Sequence, residues 1–431
     1  MRLLLPLWLA RLWWRARREP LYGHAWRERL GFGAVSTPGG LWLHAVSLGE
    51  TRAAEPLVRA LRAQWPALPL LLTHGTATGR AAGVALLGPA DHQCWLPLDT
   101  PGAVRRFFRR HRPALGILME TEVWPQLLHA ARDAAVPVVL ANARLSEKSL
   151  RQSLRFDALL RPAAGALALA LAQTDADAQR LRQAGVLPER VSVVGNLKFD
   201  QRPEPALLAL GQSWTAGLSR PVVLAASWRE GEDVPLVQAW RDWLECYVAT
   251  GFEGALVGQG PPLLVIVPRH PQRFDAVADI VTSAGLSLAR RSDWGETGPG
   301  AVARQAQVWL GDSMGEMPAY YACAHAALLG GSYAPLGGQN LIEAAACGCP
   351  VFLGPHTFNF AQAADQAIVA GAAWRCADLE EAVGRACELV ECPPARSEAA
   401  VAALAYGDQD QGIAQRMVRA IQPIICPSAA H

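Results

Sequence analysis

Short, nearly uninterrupted apolar runs recur along this chain, each separated from the next by a stretch of helical length. In the first half they are LWLHAV (41–46), PLLLTH (69–74), CWLPLD (94–99), ALGILME (114–120), VPVVLAN (136–142), ALALAQT (168–174) and VSVVGN (191–196). The second half repeats the scheme with PVVLAAS (221–227), PLLVIVP (262–268), VWLGD (308–312), AALLGG (326–331) and PVFLG (350–354). Strands that are apolar on both faces must be covered on both faces, which is the condition of a parallel sheet between helices. The alternation therefore predicts an α/β chain of two Rossmann-like, doubly wound domains. Pro203 and Pro205 mark the expected linker, giving domains over 21–203 and 204–431 behind an N-terminal helix at 1–20. Residues 245–261, rich in glycine, read as a surface insertion. Ligands of open α/β sheets sit beyond the carboxyl ends of the strands, so the site is expected in a cleft that the two domains face.

Composition narrows the function. A chain of 431 residues with 51% apolar content can bury two cores. A net charge of +2 gives no reason to expect nucleic acid as a partner. Nine cysteines show no CxxC pair and no zinc spacing with histidine, which points to a reducing compartment. The segment MRLLLPLWLARLWWRARREP joins about nine apolar residues to Arg11, Arg15, Arg17 and Arg18, with Trp8, Trp13 and Trp14 interleaved. Spanning a bilayer takes ~20 apolar residues, so this segment is expected to lie on the cytoplasmic face of an anionic membrane as a monotopic anchor.

The strand ends carry the candidate chemistry. Residues 330–360, GGSYAPLGGQNLIEAAACGCPVFLGPHTFNF, form a strand–loop–helix–strand unit whose glycines let backbone N–H groups approach a phosphate. Glu343, one turn into the helix, is placed to accept hydrogen bonds from a ribose diol. Glu50 follows the first strand in HAVSLGE; it either complements the helix dipole or serves as a base, with His44 and Ser47 sharing its loop. Glu120 and Glu122 follow another strand in METEVWP, where one carboxylate can act as base while another orients groups. Arg269, His270 and Arg273 in PRHPQRF suit an anion clamp. Met314, Gly315 and Glu316 form a tight loop suited to a nucleobase. Lysine occurs only at Lys148 and Lys198, so Lys198, just past a strand, is suspected of needing a compact ammonium. The aspartate pairs Asp175/Asp177 and Asp408/Asp410 read as helix-start and turn residues rather than as metal ligands.

HAVSLGE, ETEVWP, NARLS, GNLKFD, PRHPQRF, GDSMGEM and the 330–360 segment, taken in order from about residue 20 to 365, resemble the bacterial 3-deoxy-D-manno-octulosonic acid (Kdo) transferases. The resemblance implies a GT-B glycosyltransferase fold and inverting, metal-independent transfer of Kdo from CMP-Kdo to a lipid A precursor at the inner membrane. No cofactor beyond the donor substrate is implied. Carried over by position, Glu50 is the general base, and Glu120 and Lys198 stabilise the transition state. Arg269, His270, Met314, Gly315, Glu316 and the run Asn340, Leu341, Ile342, Glu343 correspond to the CMP site.

The chain departs from the family in three places: His325 stands where an aspartate is usual, Trp228–Arg229 where Thr–His is commoner, and the N-terminal apolar segment is short for the family. Two other classes compete with this reading. One is a GT-B transferase using a uridine or guanosine sugar, which the 314–316 loop would discriminate. The other is a catalytically idle membrane-associated protein of the same fold, against which the presence of both Glu50 and Lys198 argues.

Overall fold

A computed structural model describes residues 5–17, 19–250, 260–295 and 298–425. The chain divides into two compact units, one of residues 1–201 and 410–431 and the other of residues 202–409. The expected boundary at 203/204 thus falls two residues earlier. The C-terminal segment, expected in the second domain, belongs to the first.

The first unit holds a seven-stranded sheet. Its strands are β1 (Leu41–His44), β2 (Leu70–His74), β3 (His92–Trp95), β4 (Leu115–Met119), β5 (Val138–Ala143), β6 (Leu169–Ala172) and β7 (Val191–Val193). Their order is β3-β2-β1-β4-β5-β6-β7, all parallel. The second unit holds β8 (Val222–Trp228), β9 (Leu263–Pro268), β10 (Leu288–Arg290), β11 (Val308–Leu310), β12 (Ala326–Leu329), β13 (Val351–Leu353) and β14 (Ala373–Arg375). These run in the order β10-β11-β9-β8-β12-β13-β14, again all parallel. β1, β2, β4 and β5 are buried along their whole length, as their uninterrupted apolar runs require.

Two strands escape the sequence pattern, β10 and β14. Both are three-residue edge strands, partly or largely open to solvent, so neither needs an apolar run. The run at 94–99 also pairs earlier than expected, over His92–Trp95. The helix Asp233–Thr250 continues through the first part of the expected insertion, whose residues 251–259 lie outside those described.

The N-terminal helix Leu5–Ala16 packs Leu12 into a small core with Tyr22, Ala77 and Trp95, while Trp13 and Trp14 are 62% and 54% exposed. No helix among the described residues is long and apolar enough to cross a membrane. Met1–Leu4 and Arg18 of the expected anchor lie outside the described residues.

The last helix, Ile413–Ile425, buries Ile413, Met417, Val418 and Ile421 and packs against the helix Leu48–Gln64. Its start is held by Asp200, whose carboxylate accepts the backbone N–H groups of Gly412 at 2.7 Å and Ala414 at 2.5 Å. Gly195, just before this turn, has φ +101°, and a Cβ there would sit 2.4 Å from Asp410 Oδ2. A carboxylate capping a helix start contributes about 0.5–2 kcal/mol. Asp200→Ala should therefore destabilise the chain by about that amount, with hydrogen exchange in residues 413–425 accelerating more than in the central strands. Unchanged protection of that helix would show that the cap does not hold it.

Candidate active site

In the first unit the connection direction reverses between β1 and β4, and an open α/β sheet presents its ligand groups at such a point. Glu50 follows β1 and Glu120 follows β4. Ser47 caps the helix Leu48–Gln64 by accepting the Glu50 N–H at 3.4 Å, and its hydroxyl donates to Glu50 Oε1 at 3.1 Å. Val46 N–H donates to Glu50 Oε2 at 2.8 Å. The arrangement is like a capping box, except that the carboxylate takes the N–H of Val46, one residue before the cap, so the helix-terminus reading of Glu50 is realised in geometry. A second property goes beyond it. Burial raises the Glu50 pKa from 4.5 to about 7, and Glu120 nearby pushes the same way, against the hydrogen bonds from Val46 and Ser47. A carboxylate poised near neutrality can take a proton from an acid as weak as an alcohol only while the alcohol's new bond is being made. A Cβ at Gly49 would meet only Ser47 Oγ, at 3.9 Å, so packing within the chain does not demand glycine there.

Glu120 is buried, with φ +58°, a conformation that costs a non-glycine residue of order 1 kcal/mol or more. Its side chain accepts from Arg144 Nε at 2.9 Å, and its backbone N–H is paired to Ala141 on β5. Lys198 lies half-buried in the 3₁₀ turn Leu197–Asp200. Burial lowers its pKa, Glu120 and Glu50 oppose that fall, and Arg144 reinforces it. Glu50, Glu120 and Lys198 therefore interact within one group, as their sequence positions alone could not establish.

Two residues that sequence reasoning missed hold this group together. Arg144, the arginine of NARLS, pairs with Glu120. Asn142, fully buried with φ +52°, accepts the Leu197 N–H at 3.0 Å and so ties the end of β5 to the turn bearing Lys198. An asparagine directly after an apolar strand was the available signal.

In the second unit the reversal lies between β8 and β12. Ser227 near the end of β8 has φ +54°, and a Cβ on Gly330 would come within 2.5 Å of the Ser227 carbonyl oxygen, so only glycine fits where β12 ends. Burial, then Arg229 and Arg269, lower the pKa of His270, which places the three basic groups near one another. Arg229, left aside at the sequence level because Trp228–Arg229 breaks the family pattern, joins this cluster. Trp228 is instead a core residue packed near Tyr333.

Other expectations are redrawn. Arg273 is held by Asp233, with its Nη2 2.6 Å from Oδ2, and is spent on that ion pair rather than on an anion clamp. The N–H groups of Gly331, Tyr333 and Ala334 are not open to phosphate: all three donate to the buried carboxylate of Glu232 at 2.7–3.1 Å. Glu232 also accepts the Arg229 N–H at 3.2 Å, and nothing in the sequence marks it. Leu341 and Ile342 have buried side chains, so only their main chain can meet a ligand. Asn340 and Glu343 are half-buried, and Asn340 Oδ1 is buried with no hydrogen-bond partner among the described residues. Met314 is 60% exposed beside Gly315 at φ +85°. Glu316 is fixed by Arg291 at 2.9 Å and Ser313 at 2.5 Å.

Residues 24–201 match the family described as 3-deoxy-D-manno-octulosonic-acid transferase (kdotransferase). The 3-deoxy-D-manno-octulosonic acid transferase of Bordetella pertussis is 46% identical, over 97% of this chain and 96% of that one. The Haemophilus influenzae protein of the same name is 33% identical over 95% and 93%. A crystal structure of a glycosyltransferase from Rickettsia africae aligns with a TM-score of 0.59 at 9% identity, covering 91% of this chain and 100% of that one. At that identity the likeness concerns the fold, which is the two-domain GT-B architecture.

The raised Glu50 pKa has a consequence for stability. The folded chain holds a proton on Glu50 that the unfolded chain releases, in the window from about pH 4.5 to 7. Stability contributed by this group is thus lost as pH rises through that window. Glu50→Gln cannot ionise and escapes the loss. After discounting for solvent access, its stability relative to the parent should improve by about 1–2 kcal/mol between about pH 5 and pH 8 in urea unfolding. A difference independent of pH would show that Glu50 titrates as an ordinary glutamate.

Proposed function

The chain belongs to the 3-deoxy-D-manno-octulosonic acid transferases, and is therefore a glycosyltransferase; from this premise we propose that it moves Kdo from CMP-Kdo to the tetra-acylated lipid A precursor lipid IVA, inverting the anomeric centre without a metal. The observation that carries the mechanism is the grouping of Glu50, with its pKa of about 7, with Glu120 and Lys198. Glu50 takes the proton of the acceptor hydroxyl as its oxygen bonds to the anomeric carbon of Kdo. The bond from that carbon to the phosphate oxygen breaks, and CMP departs with the electron pair. Attack opposite to departure inverts the centre. The Lys198 ammonium offsets negative charge on the donor, and Glu120, anchored by Arg144, keeps that ammonium in place.

The CMP moiety is assigned to the second unit. Arg229, Arg269 and His270 offer cationic and neutral donors to phosphate, Glu343 suits the ribose, and Asn340 Oδ1 is an acceptor suited to a donor such as a cytosine amino group. A metal-free reading is supported by how the aspartate pairs are used. Asp177 accepts from Leu145 N–H and the Thr174 hydroxyl, Asp408 pairs with Arg202, and Asp410 pairs with Arg416. Association with the inner membrane surface is proposed for the helix Leu5–Ala16, which exposes Trp13 and Trp14 and is followed by Arg17, 3.8 Å over the Trp13 ring.

Incubating the full chain with CMP-Kdo and lipid IVA and weighing the lipid should reveal added Kdo, with EDTA leaving the rate unchanged. Glu50→Gln should lower turnover by ~10²–10⁴ while keeping thermal stabilisation by CMP, and Lys198→Arg should fail to retain full turnover. Equal stabilisation by CMP, UMP and GMP would remove the cytidine assignment. Deleting residues 1–18 should shift the protein away from anionic liposomes in a flotation assay. Retention on liposomes would place membrane contact elsewhere.

A further inference from the structure

Glu122 shares the loop of Glu120 but has no part in the mechanism above. Its Oε2 accepts the Trp124 indole N–H at 2.5 Å and lies 3.9 Å from Nε2 of His44. His44 ends β1 and is wholly buried. Its Nδ1 is 3.0 Å from the Thr73 carbonyl oxygen. A carbonyl oxygen can only accept, so the ring proton sits on Nδ1. The Thr73 hydroxyl, also 3.0 Å away, is compatible with this, since it accepts from the Trp42 indole and turns toward the Leu43 carbonyl. The neutral ring therefore presents a bare lone pair at Nε2. That atom is buried and has no hydrogen-bond partner among the described residues. A carboxylate opposite a lone pair is repelled by it, whereas a protonated carboxyl satisfies it.

We propose that Glu122 stands in the site as a neutral carboxylic acid whose O–H is directed at His44 Nε2, so that the Glu-Thr-Glu segment presents one negative charge rather than two. At 3.9 Å the two atoms are beyond hydrogen-bond reach, so the O–H contact requires the carboxyl to move toward Nε2 from its bond with Trp124. The charged and titratable groups around the pair are few. Glu50 comes from the helix after β1, Glu120 with its partner Arg144 lies alongside, Lys198 faces Glu120 and Glu50, and His74 neighbours His44. Burial raises the Glu122 pKa and Glu120 raises it further, against the Trp124 hydrogen bond. Burial, with His74 in support, brings His44 down to about 3, against its Thr73 hydrogen bond, so of the two groups the carboxyl is the one that holds a proton more readily. The arrangement is a chemical filter on charge. A donor that brings a carboxylate and a phosphate into this region meets less repulsion, and Glu50 keeps a pKa low enough to act as a base near neutrality.

The protonation state follows from the geometry, while its catalytic consequence rests on the transfer reaction proposed above, and the two are tested separately. Glutamate-specific ¹³C labelling of the full chain allows an infrared difference spectrum, wild type minus Glu122→Gln, at a mildly alkaline pH. The amide that the Glu122→Gln substitution introduces can donate to His44 Nε2, so the variant keeps the contact and the fold. Loss of a carboxylic-acid C=O band is the expected result; loss of a carboxylate band overturns the proposal. In the transfer assay, the acid limb of the Glu122→Gln pH–rate profile should coincide with that of the wild type. A fall of about one unit would mean that an ionised Glu122 had been raising the Glu50 pKa, and would overturn it as well. Should wild type transfer no Kdo, the functional reading fails while the infrared result still decides the state of Glu122.

Discussion

The coverage of both faces of each parallel sheet governs the rest of this molecule. With apolar side chains filling both faces, the only places left for polar chemistry are the strand ends. At the reversals, β1/β4 and β8/β12, the chain departs to opposite sides and leaves the strand termini uncovered. Backbone strain gathers there. Of the six non-glycine residues with positive φ among those described, Glu120, Asn142 and Ser227 lie at or beside the ends of β4, β5 and β8. Each such conformation costs of order 1 kcal/mol or more, and the buried strands on either side over-determine it.

Much of this was legible in the sequence for a single physical reason. Twelve of the fourteen strands appear as apolar runs, most of them because a doubly buried strand has no polar positions to spare. β10 and β14 are short edge strands whose sequences LAR and AWR carry no apolar run, since an edge strand can do without one, although the edge strands β3 and β7 have theirs. Glu50, Glu120 and Lys198 could be named because each directly follows an apolar run. Arg144, Asn142 and Glu232 could not be assigned roles, since their work depends on partners brought close only by folding. Arg144 meets a carboxylate 24 positions earlier, and Glu232 meets N–H groups about 100 positions later. The return of Ile413–Ile425 to the first unit was hidden for the same reason: its amphipathic face shows that it packs, not upon what.

The carboxylates show how partners, not residue type, decide function. Glu232 is encircled by backbone N–H groups and fixes the loop after β12. Glu120 is committed to Arg144. Among the described residues Glu50 has two hydrogen-bond donors and no ion-pair partner, so burial dominates and its pKa rises. A glutamate with fewer donors than its burial requires remains responsive to a proton, which is the property a base needs. The glycine-rich loop illustrates the converse. Its N–H groups suggested a phosphate cradle by sequence, but an internal carboxylate already satisfies three of them.

The two lysines of this arginine-rich chain obey the same rule. Lys148 is exposed on the helix Glu147–Arg155, where any cation would serve. Lys198 is half-buried among Glu120, Glu50 and Arg144. A guanidinium at that position would set a second planar cation close to Arg144 and would stay charged under any burial. An ammonium is compact and has three donors that can be shared among carboxylates and an incoming anion. It can also lose affinity for its proton as the surroundings dry, which is the direction burial drives it. The retention of lysine at 198 thus follows from the volume and charge already taken up by its neighbours. Composition could single the residue out, and the reason became visible only once Glu50, Glu120 and Arg144 had been brought around it.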